Sequence, residues 1–308
     1  MHILVSGGTG LIGRPLAARL VNDGHKVTIL TRSPRAADEF EVKVELLAWD
    51  GQTTDGWREV INEVDAVIHL AGANVAGEGM FPDRWTPERK QLILQSRLQS
   101  GQALVAAIRA AEKKPKLFVQ ASAIGYYGSD LSAERLAEGS PSGDDFLAQV
   151  CVDWEASTAE VEEMGVRRVI LRTGVVFSMA GGALPSLVLP FKFFAGGPVG
   201  SGRQWISWIH MDDEIEAIVF LLESESAAGV YNLTAPQALT NRDLATAIGK
   251  VMGRPALVPT PAVAMKLMFG EVATVIVEGQ HVYPKNLLEA GFKFKYSQVE
   301  PALRDLLA

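Results

Sequence analysis

Ile3-Leu4-Val5-Ser6-Gly7-Gly8-Thr9-Gly10-Leu11-Ile12-Gly13 decides the fold of this 308-residue chain. A short apolar run suits a buried strand, and from Leu11 to Asp23 the apolar residues recur at helical spacing until Gly24. Between strand and helix stand Gly7, Gly10 and Gly13. A glycine triplet alone is weak evidence, but directly after a strand and at the start of a helix it sits where a dinucleotide-binding turn requires it. Each glycine has its own reason. Gly7 permits the tight turn, Gly10 lets a pyrophosphate approach the backbone, and Gly13 lets helix and strand pack closely. The helix N-terminus offers free N–H groups and a positive dipole end to phosphates. The predicted cradle is Gly7, Thr9, Gly10, Leu11, Ile12 and Gly13.

The second strand, Lys26 to Leu30, runs into Thr31-Arg32-Ser33-Pro34-Arg35. An NAD site carries Asp or Glu near this point to bind the ribose 2′-hydroxyl. No acid is present. Arginine attracts a 2′-phosphate with fork geometry where a carboxylate would repel it. Thr31, Arg32, Ser33 and Arg35 are therefore read as NADP(H) contacts. Other strand ends line the same crevice: Asp50 toward adenine, Leu70-Ala71-Gly72 where ribose and diphosphate pass, and Arg172 at the end of a later strand. His69 reads as a structural histidine.

Strand-like runs at Val44–Trp49, Ala66–Leu70, Lys116–Ala121 and Arg168–Arg172 alternate with helical patterns at Pro87–Glu112 and Phe146–Met164. Alternation with continuously apolar strands predicts an α/β fold, a Rossmann-like doubly wound parallel sheet. After residue 172 glycine and proline concentrate, and a strand at Ile206–Met211, a helix at Asp213–Glu223 and a strand at Gly229–Leu233 follow. The expected division is an NADP-binding domain of residues 1–175 with 205–235, and a smaller substrate-side domain of residues 176–204 with 236–308.

Lys+Arg 29 against Asp+Glu 36 gives a net charge of −7. That balance argues against nucleic acid and against docking on an anionic membrane. One cysteine, Cys151, excludes an internal disulfide and a cysteine-based zinc cage. The five histidines show no ligand spacing, so no metal is expected. There is no run of 18 apolar residues and no signal peptide pattern, and a cytoplasmic location is the default expectation. The expected partner is a small-molecule substrate; the oligomeric state is open.

The glycine loop, His69-Leu70-Ala71-Gly72 and Ala121-Ser122-Ala123-Ile124-Gly125-Tyr126-Tyr127-Gly128 resemble the extended short-chain dehydrogenase/reductases, which include sugar-nucleotide epimerases. Leu171-Arg172-Thr173-Gly174-Val175-Val176, Gly196-Gly197-Pro198-Val199-Gly200-Ser201-Gly202-Arg203-Gln204 and Trp208-Ile209-His210-Met211-Asp212-Asp213 narrow the resemblance to an atypical subgroup, the "epimerase family proteins". Segments around Asn232, Gly270-Glu271, Gly279-Gln280 and Gly291-Phe292 resemble that subgroup's C-terminal domain of unknown function. The resemblance implies NADP(H) binding and, for some members, a cell-division label.

The enzymes so resembled use Ser or Thr with Tyr-x-x-x-Lys. Ser122 takes the serine position. Aligned on Trp154-Glu155, Phe146 takes the tyrosine place and Val150 the lysine place, and neither transfers a proton. No other tyrosine in the chain has lysine four residues later. Three readings remain open: an oxidoreductase or epimerase with a substitute acid, hydride transfer that needs little proton help, and an NADP(H)-binding sensor without turnover. Tyr126 and Tyr127 are the nearest candidate acids beside Ser122, with His210 another. Asn74, Arg203 and His210 are read as substrate contacts, Cys151 as core, and Asp212-Asp213 as the cap of the helix that follows.

Overall fold

A computed structural model describes residues 1–33, 40–77, 79, 82–129 and 134–308. Seven strands form one sheet: β1 His2–Ser6, β2 Lys26–Thr31, β3 Glu45–Ala48, β4 Ala66–His69, β5 Leu117–Ala123, β6 Arg167–Thr173 and β7 Gly229–Leu233. Their order is β3-β2-β1-β4-β5-β6-β7, and every pairing is parallel. The order reverses at β1, so the crevice between the ends of β1 and β4 is the topological switch point where such sheets bind ligands.

Both faces are covered. On one, Leu16 and Leu20 of α1 (Gly13–Asn22) and Ile218 and Leu222 of α2 (Met211–Glu223) pack on Ile3, Val5, Ile29 and Val119. On the other, Leu104 and Ile108 of α3 (Pro87–Ala110) pack on Leu4, Val67 and Phe118. A third core lies apart from the sheet. Phe177, Phe191 and Trp208 meet Leu244 and Ile248 of α4 (Asn241–Met252) and Leu303 of α5 (Val299–Leu307). Among the described residues no helix is long and apolar enough to cross a membrane.

Three local expectations change. The pattern from Phe146 to Met164 is two helices, α6 Phe146–Ala156 and the turn Glu160–Glu163. Ser157 Oγ bonds back to Trp154 O at 2.7 Å, and Thr158 donates to Gln120 of the sheet, so both side chains compete with helix continuation. The stretch Ile206–Met211 is two short strands, Trp205–Ile206 and Trp208–His210, and α2 begins at Met211. The cap of α2 is His210, whose Nδ1 accepts the N–H of Asp212 at 3.0 Å. Asp213 instead accepts the N–H groups of Lys295 and Tyr296 at 2.7 and 2.8 Å, and Asp212 pairs with the Lys295 ammonium at 2.8 Å. Both aspartates fasten a distant segment rather than start their own helix.

The glycine turn is tight for reasons internal to the protein at three positions. Gly7 has φ +75°, and a Cβ there would stand 2.7 Å from the Leu70 backbone. A Cβ on Gly8 would meet Ile29 at 2.7 Å, and one on Gly13 would meet Gly7 O at 2.3 Å. Gly13→Ala therefore loses about 1–3 kcal/mol in urea unfolding. Gly10→Ala, whose Cβ meets only Gly7 O at 3.3 Å, loses less than about 1 kcal/mol.

Candidate functional site

The glycine turn closes on itself, Gly10 N–H donating to Gly7 O at 3.0 Å, and leads into the N-terminus of α1 at the crevice. The cap residue of α1, Ile12, makes no side-chain bond to the first-turn N–H groups. Thr9 turns its carbonyl to Arg14 Nε at 2.8 Å. Gly10 is exposed, and no neighbouring side chain occupies the space a Cβ would take. The fold itself needs glycine at 7, 8 and 13; at 10 the near atom is a single backbone oxygen, Gly7 O, 3.3 Å from a Cβ. That is what a backbone cradle for a diphosphate looks like.

Thr31 is buried and its Oγ1 accepts the N–H of Ser33 at 3.1 Å, which fixes the exit of β2. Arg32 and Ser33 are exposed there. Arg35 lies outside the described residues. Asp50 does not present a free carboxylate toward an adenine. Its oxygens accept the N–H groups of Gln52 and Thr53 at 2.8 Å and the Thr53 hydroxyl at 2.9 Å. Those bonds, the Thr53 N–H first, hold its carboxyl below the usual range. Leu70 N bonds to Ser6 O at 2.9 Å and, with Ala71, lies against Gly7. Gly72 and Asn74 are exposed. His69 is fully buried between Ser6 Oγ at 2.7 Å and Ser100 Oγ at 3.4 Å. Burial, with Arg97 adding to it, pulls its pKa to about 3, so it is a neutral structural histidine.

The end of β5 carries a buried polar network. Ser122 Oγ donates to Glu155 Oε1 at 2.7 Å. The same carboxylate takes Arg172 Nε and Nη2, each at 2.8 Å. Arg172 Nη1 donates to Tyr127 Oη at 3.2 Å and to Glu138 O at 3.3 Å, and Tyr127 donates to Asn232 Oδ1 at 2.8 Å. Tyr126 lays its ring over the Arg172 guanidinium, Cζ 3.2 Å from the centroid.

Two expectations are corrected here. Arg172 is 3% exposed with its donors engaged by Glu155, Tyr127 and Glu138, so it braces the site from beneath instead of reaching a cofactor. Burial opposes its charge, but Glu155 outweighs that and holds the proton more firmly than on a free guanidinium. Tyr127 is likewise buried. Desolvation raises its pKa despite the Arg172 and Asn232 bonds, and its hydroxyl is committed to those two partners within the network.

His210 is the third correction. It is 2% exposed, caps α2, faces Asp305 with Nε2 at 3.3 Å and stacks on Tyr296 at 4.0 Å. Burial lowers its pKa in spite of Asp212 and Asp305. Its ring joins α2 to the C-terminal helix and does not reach a substrate. Arg203 is exposed on its loop. Gln204 beside it is buried and donates to Val199 O at 3.0 Å and Ile276 O at 3.1 Å. Cys151 is core, its thiol pushed up to about 11 by burial.

Phe146 and Val150 stand on α6 where the resemblance places tyrosine and lysine. Val150 is buried. Phe146 meets Trp85 edge-on at 5.3 Å, with Lys90 Nζ 4.8 Å from its ring centroid. Glu155 is half of the Trp154-Glu155 pair that anchors the alignment, yet its role is not legible in the sequence, because its partners lie 17 and 33 residues away. Glu214 is not legible in the sequence either. This carboxyl is fully buried, accepts Thr173 Oγ1 at 2.9 Å, and leaves Oε2 unpaired. Burial raises its pKa to about 8.

Residues 3–234 match the NAD dependent epimerase/dehydratase family, and residues 260–306 match a domain of unknown function (DUF1731). An epimerase family protein of Staphylococcus aureus (strain N315) is 38% identical over 305 residues, covering 99% of this chain and 98% of the relative. The human epimerase family protein SDR39U1 (isoform 2), solved with NADPH, superposes with a TM-score of 0.85 at 33% identity, covering 99% of each chain. Thermus thermophilus UDP-glucose 4-epimerase, solved with NAD, reaches 0.77 at 22% identity, covering 100% of this chain and 98% of that one, which is a likeness of fold.

The Glu214 carboxyl generates a pH prediction. A raised folded-state pKa means the native state binds the extra proton between the unfolded value and about 8. Stability from this group is present below the unfolded pKa and is lost as pH rises toward 8. Glu214→Gln keeps the Thr173 bond and removes the titration. Thermal unfolding should find the variant gaining on the parent by at least ~1 kcal/mol between pH 5 and pH 8.5.

Proposed function

The chain belongs to the NAD dependent epimerase/dehydratase family, and we propose that it binds NADP(H) and acts as an oxidoreductase or epimerase on a small substrate without a Tyr-x-x-x-Lys pair. The observation that carries the cofactor choice is Arg32, exposed where β2 ends and where an NAD site would place a carboxylate. Gly7 to Gly13 would hold the diphosphate on open N–H groups, and Thr31, Arg32 and Ser33 would meet the 2′-phosphate. Leu70, Ala71 and Gly72 would line the path toward the reactive end. The human relative solved with NADPH supports the same choice.

When bound, NADPH supplies a hydride. The chain's own residues then handle the proton and the geometry. Because Ser122 gives its hydrogen to Glu155, its lone pairs are left to accept from a substrate hydroxyl. Arg172 clamps that carboxylate bidentately and fixes the rotamer of the relay. Tyr126, its ring on the same guanidinium, is the phenol that takes or returns the proton at the substrate oxygen.

One observation favours a second reading, an NADP(H)-binding regulatory protein without turnover. Phe146, packed under Trp85, puts an apolar ring where a proton carrier would stand. Phe193, Phe194, Leu257 and Leu267 leave apolar surface elsewhere.

Fluorescence titration tests the cofactor. Arg32→Ala should weaken NADPH by about ten-fold or more and NADH by less than about two-fold; equal losses defeat the assignment. Turnover is tested by incubating the protein with a small-molecule extract and NADPH deuterated at the transferable position. The expected result is a labelled metabolite whose formation falls about 100-fold in Tyr126→Phe and in Ser122→Ala. Unchanged labelling in both variants rejects the roles given to them. No label with tight NADPH binding selects the regulatory reading.

A further inference from the structure

Arg89 and Arg97 stand two turns apart on α3, and both reach the segment that leaves β4. Arg97 Nη1 donates to Ala73 O at 3.0 Å and to Ile93 O at 2.9 Å. Arg89 Nη2 donates to the next carbonyl, that of Asn74. Two guanidinium cations are thus docked on consecutive carbonyls. Of the neighbouring cations, Lys90 pairs with the Glu271 carboxylate at 2.7 Å, and Arg84, whose partners are likewise carbonyls (Leu267 and Met268), is exposed to solvent. Among the described residues no carboxylate pairs with Arg89 or Arg97, and the only cation acting on Arg97 is Arg89, which repels it.

Arg97 is 9% exposed and rests on the Trp154 ring, Cζ 4.8 Å from the centroid. Arg89 Nε is buried with no partner. Burial pulls Arg97 down only to about 10, so it stays charged at neutral pH. Burying the Arg97 guanidinium without a counter-ion, beside a half-buried Arg89, is costly, and carbonyl dipoles offset only part of that cost. Gly72 leaves the guanidinium reachable. It is exposed, and a Cβ there would stand 3.1 Å from Arg97 Cζ and 3.4 Å from Nε. Its backbone does not adopt a positive φ that would itself call for glycine.

The position along the cleft identifies the source of the missing charge. The strand ends run from β3 and β2, where the 2′-phosphate arginine lies, through the diphosphate turn of β1, to β4 and β5. Arg89 adjoins Lys90, which sits over Phe146 at the reactive end. We propose that Arg89 and Arg97 seat an anionic group of the substrate, a carboxylate or a phosphate, across Gly72. This proposal rests on the NADP(H) reading of the cleft, which fixes where the reactive end lies.

The test is calorimetric titration of the full chain at fixed ionic strength with inorganic phosphate and with malonate, with and without saturating NADPH. The expected result is one saturable anion site in the NADPH-loaded protein. Arg89→Met should weaken it about ten-fold while changing NADPH affinity less than about two-fold. Arg97→Lys keeps the charge but loses the fork, and should weaken phosphate severalfold with little loss of melting temperature. Three results overturn the proposal. One is no saturable anion binding to the NADPH-loaded protein. Another is binding unchanged by Arg89→Met, which marks an adventitious ion only. The third is phosphate displaced by NADPH, with NADPH itself weakened ten-fold in the variant, which assigns the arginines to the cofactor's diphosphate. A protein that binds no NADPH defeats the cofactor reading instead. The phosphate titration of the cofactor-free chain then still decides the arginine site.

Discussion

The two-pronged contact of Glu155 with Arg172 holds the centre of this molecule together. It joins α6 to β6, and through Ser122, Tyr127 and Asn232 it reaches β5 and β7. Such a pair is a poor source of net stability, because desolvating two ions offsets most of their attraction. Its value is geometric. With both ions buried, each must find the other, and only one register of helix against sheet allows it. Ser122 inherits its orientation from that register, and the crevice above it inherits Ser122.

The same pair lies beside the helix on which the resembled enzymes carry a lysine and this chain does not. In the pattern this chain resembles, a lysine supplies positive charge beside a tyrosine on one helix. Here Arg172, on a strand and already paired with Glu155, lies beneath the Tyr126 ring. Phe146 and Val150 no longer need to be polar, and the first pairs with Trp85 while the second joins the interior.

Much of the architecture was legible because it rests on local pattern. Strand-helix alternation gave the parallel sheet, and the glycine turn gave its switch point, since steric demands at Gly7 and Gly13 act on close neighbours. Gly8 was overlooked because its demand comes from Ile29, across the sheet. The site was less legible. His210 and Asp212-Asp213 carry polar groups in the right neighbourhood, but their roles are set by Lys295, Tyr296 and Asp305, some 80 to 95 residues away. Glu155, Glu214, Arg89 and Arg97 sit in ordinary helical surroundings, and what distinguishes them is who faces them. Arg172 reads as a free arginine at a strand end because its partner, Glu155, lies on the face of a separate helix, α6.

The reach of the buried network has a consequence for how the chain is made. Ser122 and Tyr127 emerge from the ribosome long before Asn232, and Glu138 accepts N–H groups from Asn232 and Asn286. A nascent chain can lay down β1 to β4 with their helices, but the floor of the crevice stays incomplete until β7 has been synthesised and has added itself at the sheet edge. The floor of the crevice therefore depends on the final third of the chain, whose Asn232 and Asn286 both donate to Glu138.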